Sequence, residues 1–330
     1  YFQTLEKSRL PVSMELESDR MQGLLLDEED FAKELQVVIE ERRLRTEDKA
    51  ENKTYEKFNE IAFPGHPYGR PVIGWMRDLK GLKVSDLQQW YQRYYSPANA
   101  ILVVVGDVDP DEVIAMARKY YGPIKGTKVE SPQQFKVARQ TETRRITVEA
   151  PANVPYLILG FHVPAVVDKP AQDWEPYALE ILSAILDGGS AARFADQLVR
   201  GQQVAAAAST SYDPFARLAG YFLVAGNPAR DKDVQQLEEA ILAQLKDLQQ
   251  RRVSDKELQR VKALVIASNV YERDSVFYQA MKLGLMETKL NDWRLTERHT
   301  EKLQAVTAEQ VMYDAKKYIQ PENMTVAVLD

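Results

Sequence analysis

Cysteine is absent from all 330 residues, which excludes disulfides, a thiol nucleophile and any thiolate-based zinc or iron–sulfur site. Histidine is scarce: His66, His162 and His299 are the full set, and none lies in an H-x-x-E-H arrangement. Long hydrophobic runs are missing too. The longest, AILVVV at 100–105, falls far short of the roughly 20 residues a membrane-spanning helix needs. Positive charge is not in excess. The net charge is −6, with no Lys/Arg stripe interleaved with aromatics, so nucleic acid is not an expected partner. The missing thiols suit an oxidising compartment such as the periplasm, and the cytosol or a mitochondrial matrix almost equally.

What is present is ordinary for a globular protein: 45% hydrophobic and 28% charged residues, in a chain long enough for about two domains. Helical periodicity is read near 11–26, 29–47, 51–62, 84–95, 110–121, 170–187, 191–200, 231–251, 254–290 and 307–319. Strands are read at 100–107, 144–150, 155–163 and 324–330, with a hairpin-like pair near 203–226. Charged, strand-poor sequence at 124–142 reads as the linker.

The end of the chain echoes its middle. LKGLKVSDLQQWYQRYYSPANAILVVV (79–105) aligns without gaps on LQAVTAEQVMYDAKKYIQPENMTVAVL (303–329), at a constant offset of 224. Leu79/Leu303, Tyr94/Tyr318, Pro97/Pro321, Asn99/Asn323 and Val104/Val328 are identical. Each copy reads as a helix, a Pro-x-Asn turn and an apolar strand, which points to a duplicated domain. A repeat of that length starts its second copy near residue 143, so the first copy would need about 80 residues ahead of Tyr1. The expectation is therefore an incomplete first domain over 1–130 and a second of the same fold over 143–330. The class is α+β: tandem domains, each an antiparallel-rich sheet with helices packed on one face.

An ordered set of motifs carries a resemblance. LPVSMELESDRMQGL (10–24), ELQVVIEERRLR (34–45), FPGHPYGRPVIG (63–74), YYSPANAILVVVGDVDPDEV (94–113) and KYYGPI (119–124) are followed by GGSAARFADQLVRGQQVAA (188–206). Together they resemble the insulinase/pitrilysin family of zinc metallopeptidases, specifically its processing-peptidase-like members. Such enzymes carry an inverted motif, H-x-x-E-H, on a helix of the first domain. A third zinc ligand, a glutamate, comes from a later helix two turns beyond another acidic residue.

By that resemblance Glu41 is the zinc ligand and Glu34 the acidic companion that orients the metal's ligands. Helix geometry is consistent with it. Seven residues make nearly two turns, so both carboxylates point the same way, flanking an apolar stripe of Phe31, Leu35, Val38 and Ile39. Spacing alone suits surface charge just as well, and Arg45 stands four residues beyond Glu41 for an ordinary ion pair.

The inverted motif itself does not occur in this sequence. In the family it precedes the glutamate by about 75 residues, which would place it, with the general base, upstream of Tyr1. The 330 residues alone are thus expected to be inactive, with zinc the cofactor of an intact parent. In that parent the family chemistry would be attack of zinc-bound water on a peptide carbonyl. Relatives also grip the substrate backbone with an arginine and a tyrosine seven residues later. Arg200 fits the arginine, but the tyrosine's place is taken by Ala207, and Tyr212 lies five residues too far. Arg200 equally suits a helix C-terminal charge.

The resemblance implies a peptide or unfolded polypeptide substrate. It also implies a homodimer, or a heterodimer with a related non-catalytic subunit. The competing expectation is a non-catalytic binding or scaffold subunit of a processing-peptidase-like complex, or a cytochrome-complex core protein of the same fold. Two weaker motifs reduce to local structure: GDVDPDE reads as a helix N-cap rather than a calcium loop, and DGGS as a turn rather than a phosphate cradle.

Overall fold

The structure is a computed structural model that describes residues 1–127, 129 and 135–330. In chain order its elements are α1 (Leu10–Gly23), α2 (Glu28–Arg42), α3 (Ala50–Ala62), α4 (Met76–Gly81), α5 (Val84–Tyr94) and α6 (Pro110–Tyr121). Next come β1 (Arg144–Val148), β2 (Tyr156–Val163), α7 (Glu175–Asp187), β3 (Ala205–Ser211) and β4 (Gly220–Pro228). The chain finishes with α8 (Val234–Gln250), α9 (Asp255–Tyr271), α10 (Val276–Leu290), α11 (Leu295–Ala305), α12 (Ala308–Tyr318) and β5 (Met324–Leu329). Short π-helical stretches follow at Arg43–Glu47 and Phe194–Gly201.

The chain forms two compact units. One comprises Tyr1–Glu41, Ile73–Gln134 and Tyr271–Trp293; the other Arg42–Val72, Phe135–Val270 and Arg294–Asp330. Relative to the expected ranges 1–130 and 143–330, Arg42–Val72 groups with the second unit and Tyr271–Trp293 with the first. The expected linker at 124–142 falls partly outside the described residues.

The second unit is built on a five-stranded sheet of order β1-β5-β2-β4-β3. Only the β1–β5 pair is parallel. β2 reads as a nearly continuous apolar run because both of its faces are covered. Leu157, Leu159 and Phe161 point to one face and are all but fully buried. α8 lies there: Leu237 sits 3.4 Å from where a Cβ on Gly226, the residue opposite Leu157, would be. Leu237, Ile241, Leu245 and Leu248 give α8 its apolar stripe, and an Asp233–Gln236 capping box starts it. α7, with Ile181, Leu182, Ile185 and Leu186 fully buried, and α12 pack beside it.

The opposite face is covered as well, which the expectation of helices on one face did not include. Ile158, Ala225 and Ala327 meet Phe58 and Ala62 of α3 there. Phe58 is fully buried, worth roughly 1.5–3 kcal/mol of hydrophobic stabilisation. Its ring occupies the space above Gly160, where a Cβ would lie 2.3 Å from Cζ. A glycine in mid-strand here is a site of close approach.

The first unit is helical among its described residues. Tyr91 ties α5 to α1, its hydroxyl donating to the Arg20 carbonyl at 2.7 Å and accepting from Leu24 N at 3.2 Å. Asp109 caps α6 through Asp111 N and Glu112 N at 2.8 and 3.2 Å, as the Asp-Pro sequence predicts. The strand expected at 100–107 is a correction. Residues 100–105 enter no ladder among the described residues, because no strand of this unit lies beside them to accept their amides. Ile101 and Leu102 remain 49% exposed.

Candidate functional site

α2 begins with Glu28, Glu29 and Asp30 at its positive end, a favourable placement of negative charge. Ile39 is buried and Phe31, Leu35 and Val38 half-buried, so the predicted apolar stripe is present. Glu34 is exposed and Glu41 half-buried, roughly 10 Å apart along the axis at 1.5 Å rise per residue. After Arg42 the chain continues into a π turn, a deformation that occurs often at functional sites. Arg42 is 3% exposed and forks onto both carboxylate oxygens of Glu56 at 3.0 Å, with Glu47 at 3.1 Å. The Glu56 hydrogen bond is the main cause holding its guanidinium pKa above the ordinary value, against desolvation.

The histidines are committed elsewhere. His66 Nδ1 accepts from the Tyr68 amide at 3.1 Å, and burial depresses its pKa. His162 Nε2 lies 3.0 Å from the Ala62 carbonyl and is likewise held neutral, chiefly by burial. His299 Nε2 sits 2.7 Å from the Glu180 carboxylate. Among the described residues there is no group of three or more His, Asp or Glu side chains that could hold a metal. By themselves the described residues therefore do not make a zinc site.

Arg200 lies in the second unit, exposed near the end of the π-helical stretch. Its Nη2 donates to the Ser190 carbonyl at 2.7 Å and to Asp196 Oδ1 at 3.1 Å. Ala207 is exposed on β3, an edge strand. Tyr212 turns inward and donates to the Pro164 carbonyl at 2.7 Å, its pKa raised by burial. It supports the loop rather than facing solvent.

Two polar clusters escaped the sequence reading. Arg193, ahead of Arg200, bridges Asp247 and Glu257 at 2.9 Å each. Glu175 and Asp314 are both fully buried. Glu175 accepts from Lys317 at 2.8 and 2.9 Å and from the Tyr318 hydroxyl, whereas neither Asp314 oxygen has a hydrogen-bond partner among the described residues. Burial pushes the Asp314 carboxyl up to about 9, with Glu175 adding and Lys317 opposing. The signal was available: Asp314 falls at helical spacing in the apolar stripe of Val311 and Ala315.

The family described as Peptidase M16 inactive domain matches residues 81–265. The chain belongs to that family. It is 30% identical over 266 residues to the zinc protease PqqE of Helicobacter pylori, an alignment covering 79% of this chain and 58% of that protein. It is 26% identical over 321 residues to an uncharacterized zinc protease of Mycobacterium leprae, covering 94% of this chain and 68% of the relative. The chain thus spans somewhat over half the length of the Helicobacter relative. Among solved structures, a protease from Helicobacter pylori superposes with a TM-score of 0.91 at 25% identity, covering 99% of this chain and 78% of that one. A peptidase M16 inactive domain from Pseudomonas fluorescens gives 0.83 at 15% identity, over 98% and 75% of the two chains, a likeness of fold.

Proposed function

We propose that this chain is the greater part of a longer zinc metalloendopeptidase acting on peptides or unfolded polypeptides, with Glu41 one of the metal's ligands and Glu34 its companion on α2. The reading rests above all on the Helicobacter zinc protease relative, whose alignment takes in four-fifths of this chain. Its remaining ligands and its general base come from sequence ahead of Tyr1. Arg200, projecting near the exposed edge strand, contributes to holding substrate. The working protein pairs with a second copy or with a related non-catalytic subunit.

A second reading, a non-catalytic scaffold subunit, is supported by the matching family model, which is described as an inactive domain. The two part on a single experiment. A protein extended upstream to include its preceding segment is assayed for hydrolysis of an unfolded peptide, with and without chelator. The enzyme reading expects chelator-sensitive cleavage from the longer protein and none from the 330 residues. An upstream segment without H-x-x-E-H, in a zinc-free and inactive protein, leaves the scaffold.

A further inference from the structure

The loop that follows α3 is pinned to the sheet by a cluster of rings. Phe63, 2% exposed, has its ring centroid 5.6 Å from His66, 5.0 Å from His162 of β2 and 5.4 Å from Tyr221 of β4. Tyr68 and Phe135 meet the His66 ring at 5.1 and 5.9 Å, both T-shaped. The Tyr68 hydroxyl accepts from Leu218 N at 3.1 Å, which ties the loop to the chain entering β4. His66 itself is only 6% exposed.

Inside this cage the His66 imidazole has one usable protonation state. It is the N-cap of the 3-10 turn Pro67–Gly69, its Nδ1 accepting from the Tyr68 amide. An accepting nitrogen carries no proton, so the neutral ring bears its hydrogen on Nε2. Nε2 is buried and has no hydrogen-bond partner among the described residues. A second proton would have to sit on Nδ1, where N–H would face N–H and the cap would be lost. The titratable and charged groups about the cluster are Tyr68 of the loop, His162 of β2, Arg144 of β1 and Tyr221 of β4. None of these is a carboxylate that could pair with a charged ring. Arg144 donates to the Ile61 and Ala62 carbonyls at 2.9 and 3.3 Å, and both it and His66 disfavour charge on His162. Burial lowers the pKa of both histidines from the ordinary 6.5, at His162 against the Ala62 and Gly220 backbone.

We propose that His66 is an acid-sensitive catch: neutral, it closes the 63–70 loop onto the sheet, and protonated, it lets the loop open and uncovers Phe63 and the end of α3. A histidine whose pKa is lower folded than unfolded stabilises the closed form above the unfolded value, and loses that effect as pH falls. While the closed loop excludes the proton, opening becomes about tenfold more populated for each pH unit below the ordinary 6.5. The catch owes nothing to zinc or catalysis.

Two measurements on the 330-residue protein test it. Two-bond proton–nitrogen spectra of histidine-labelled protein read the His66 tautomer. Amide exchange at Tyr68, Gly69 and Arg70, corrected for the intrinsic pH dependence of exchange, reads loop opening between about pH 7.5 and about pH 5.5. The expected result is the Nε2–H tautomer at neutral pH and roughly tenfold more opening at the lower pH. His66→Asn, whose Oδ1 accepts from the Tyr68 amide but takes up no proton, should make exchange independent of pH. Wild-type opening that does not change with pH overturns the inference, whether or not the variant folds. So does an equal rise in His66→Asn, which would place the response at another group, and so does a His66 ring already protonated in the closed loop at neutral pH.

Discussion

The side-chain amide of Asn99 donates to the backbone carbonyl of Tyr94 at 3.0 Å. The same bond recurs 224 residues later, from Asn323 to the Tyr318 carbonyl at 3.3 Å. In each case an asparagine closing a 3-10 turn donates to the last carbonyl of the preceding helix, which at Tyr318 also accepts from the Gln320 amide at 3.0 Å. The Pro-x-Asn punctuation seen in the sequence is therefore a helix-termination device used twice.

Removing that bond should cost more in the second copy, where it is partly shielded, than in the first, where it is exposed. Asn323→Ala is expected to lower unfolding stability by about 0.5–1.5 kcal/mol, and Asn99→Ala by less. Urea titrations of the two variants check the order. Equal losses would mean that solvent competes for the bond similarly at both sites.

Gly160 and Phe58 share one space. Gly160→Ala should destabilise the second unit by about 1–3 kcal/mol, because the Phe58 ring cannot move out of a filled core. In the Gly160→Ala background, Phe58→Leu should cost less than it does alone. The double-mutant cycle measures this, and additive losses would show that the two residues do not compete for that space.

Asp314 gives a pH dependence of defined sign. Its folded-state pKa, pushed up to about 9, lies far above the ordinary aspartate value of 3.8 that holds in the unfolded chain. The stability this proton provides is complete below the unfolded pKa and is lost as pH rises through the folded one. Glu175, Lys317, Tyr212 and Tyr318 share its surroundings. Asp314→Asn should therefore gain on the wild type in thermal stability steadily between about pH 4 and pH 9. A constant difference in Tm across that range would show that Asp314 does not take up a proton on folding.

How much was legible follows from what each signal depends on. Helix periodicity and capping are local, so α1, α3, α5, α6, α8 and α12 lie where the periodicity put them, within a few residues. The helical periodicity over 254–290 runs on without a visible break, but Ser275 caps a fresh start and divides the stretch into α9 and α10. The stretch at 100–107 has every local mark of a strand and is not one here, because a strand is defined by its neighbours. α3 illustrates the other limit: its Thr54, Phe58, Ala62 stripe announces a buried face without naming the sheet it covers. The spacing of Glu34 and Glu41 was readable, but whether a carboxylate holds a metal depends on groups far away in sequence.

That last dependence makes the central claim a question about Glu41. In the longer protein, zinc per chain is measured alongside hydrolysis of an unfolded peptide for the wild type, Glu34→Gln and Glu41→Gln. Glu41→Gln should lose zinc and activity together, while Glu34→Gln weakens zinc binding by roughly 10- to 100-fold, as loss of an orienting partner does. Both variants should remain folded, since neither carboxylate fills the core. Full zinc content and unchanged hydrolysis in Glu41→Gln would contradict the account and make the two glutamates surface charge.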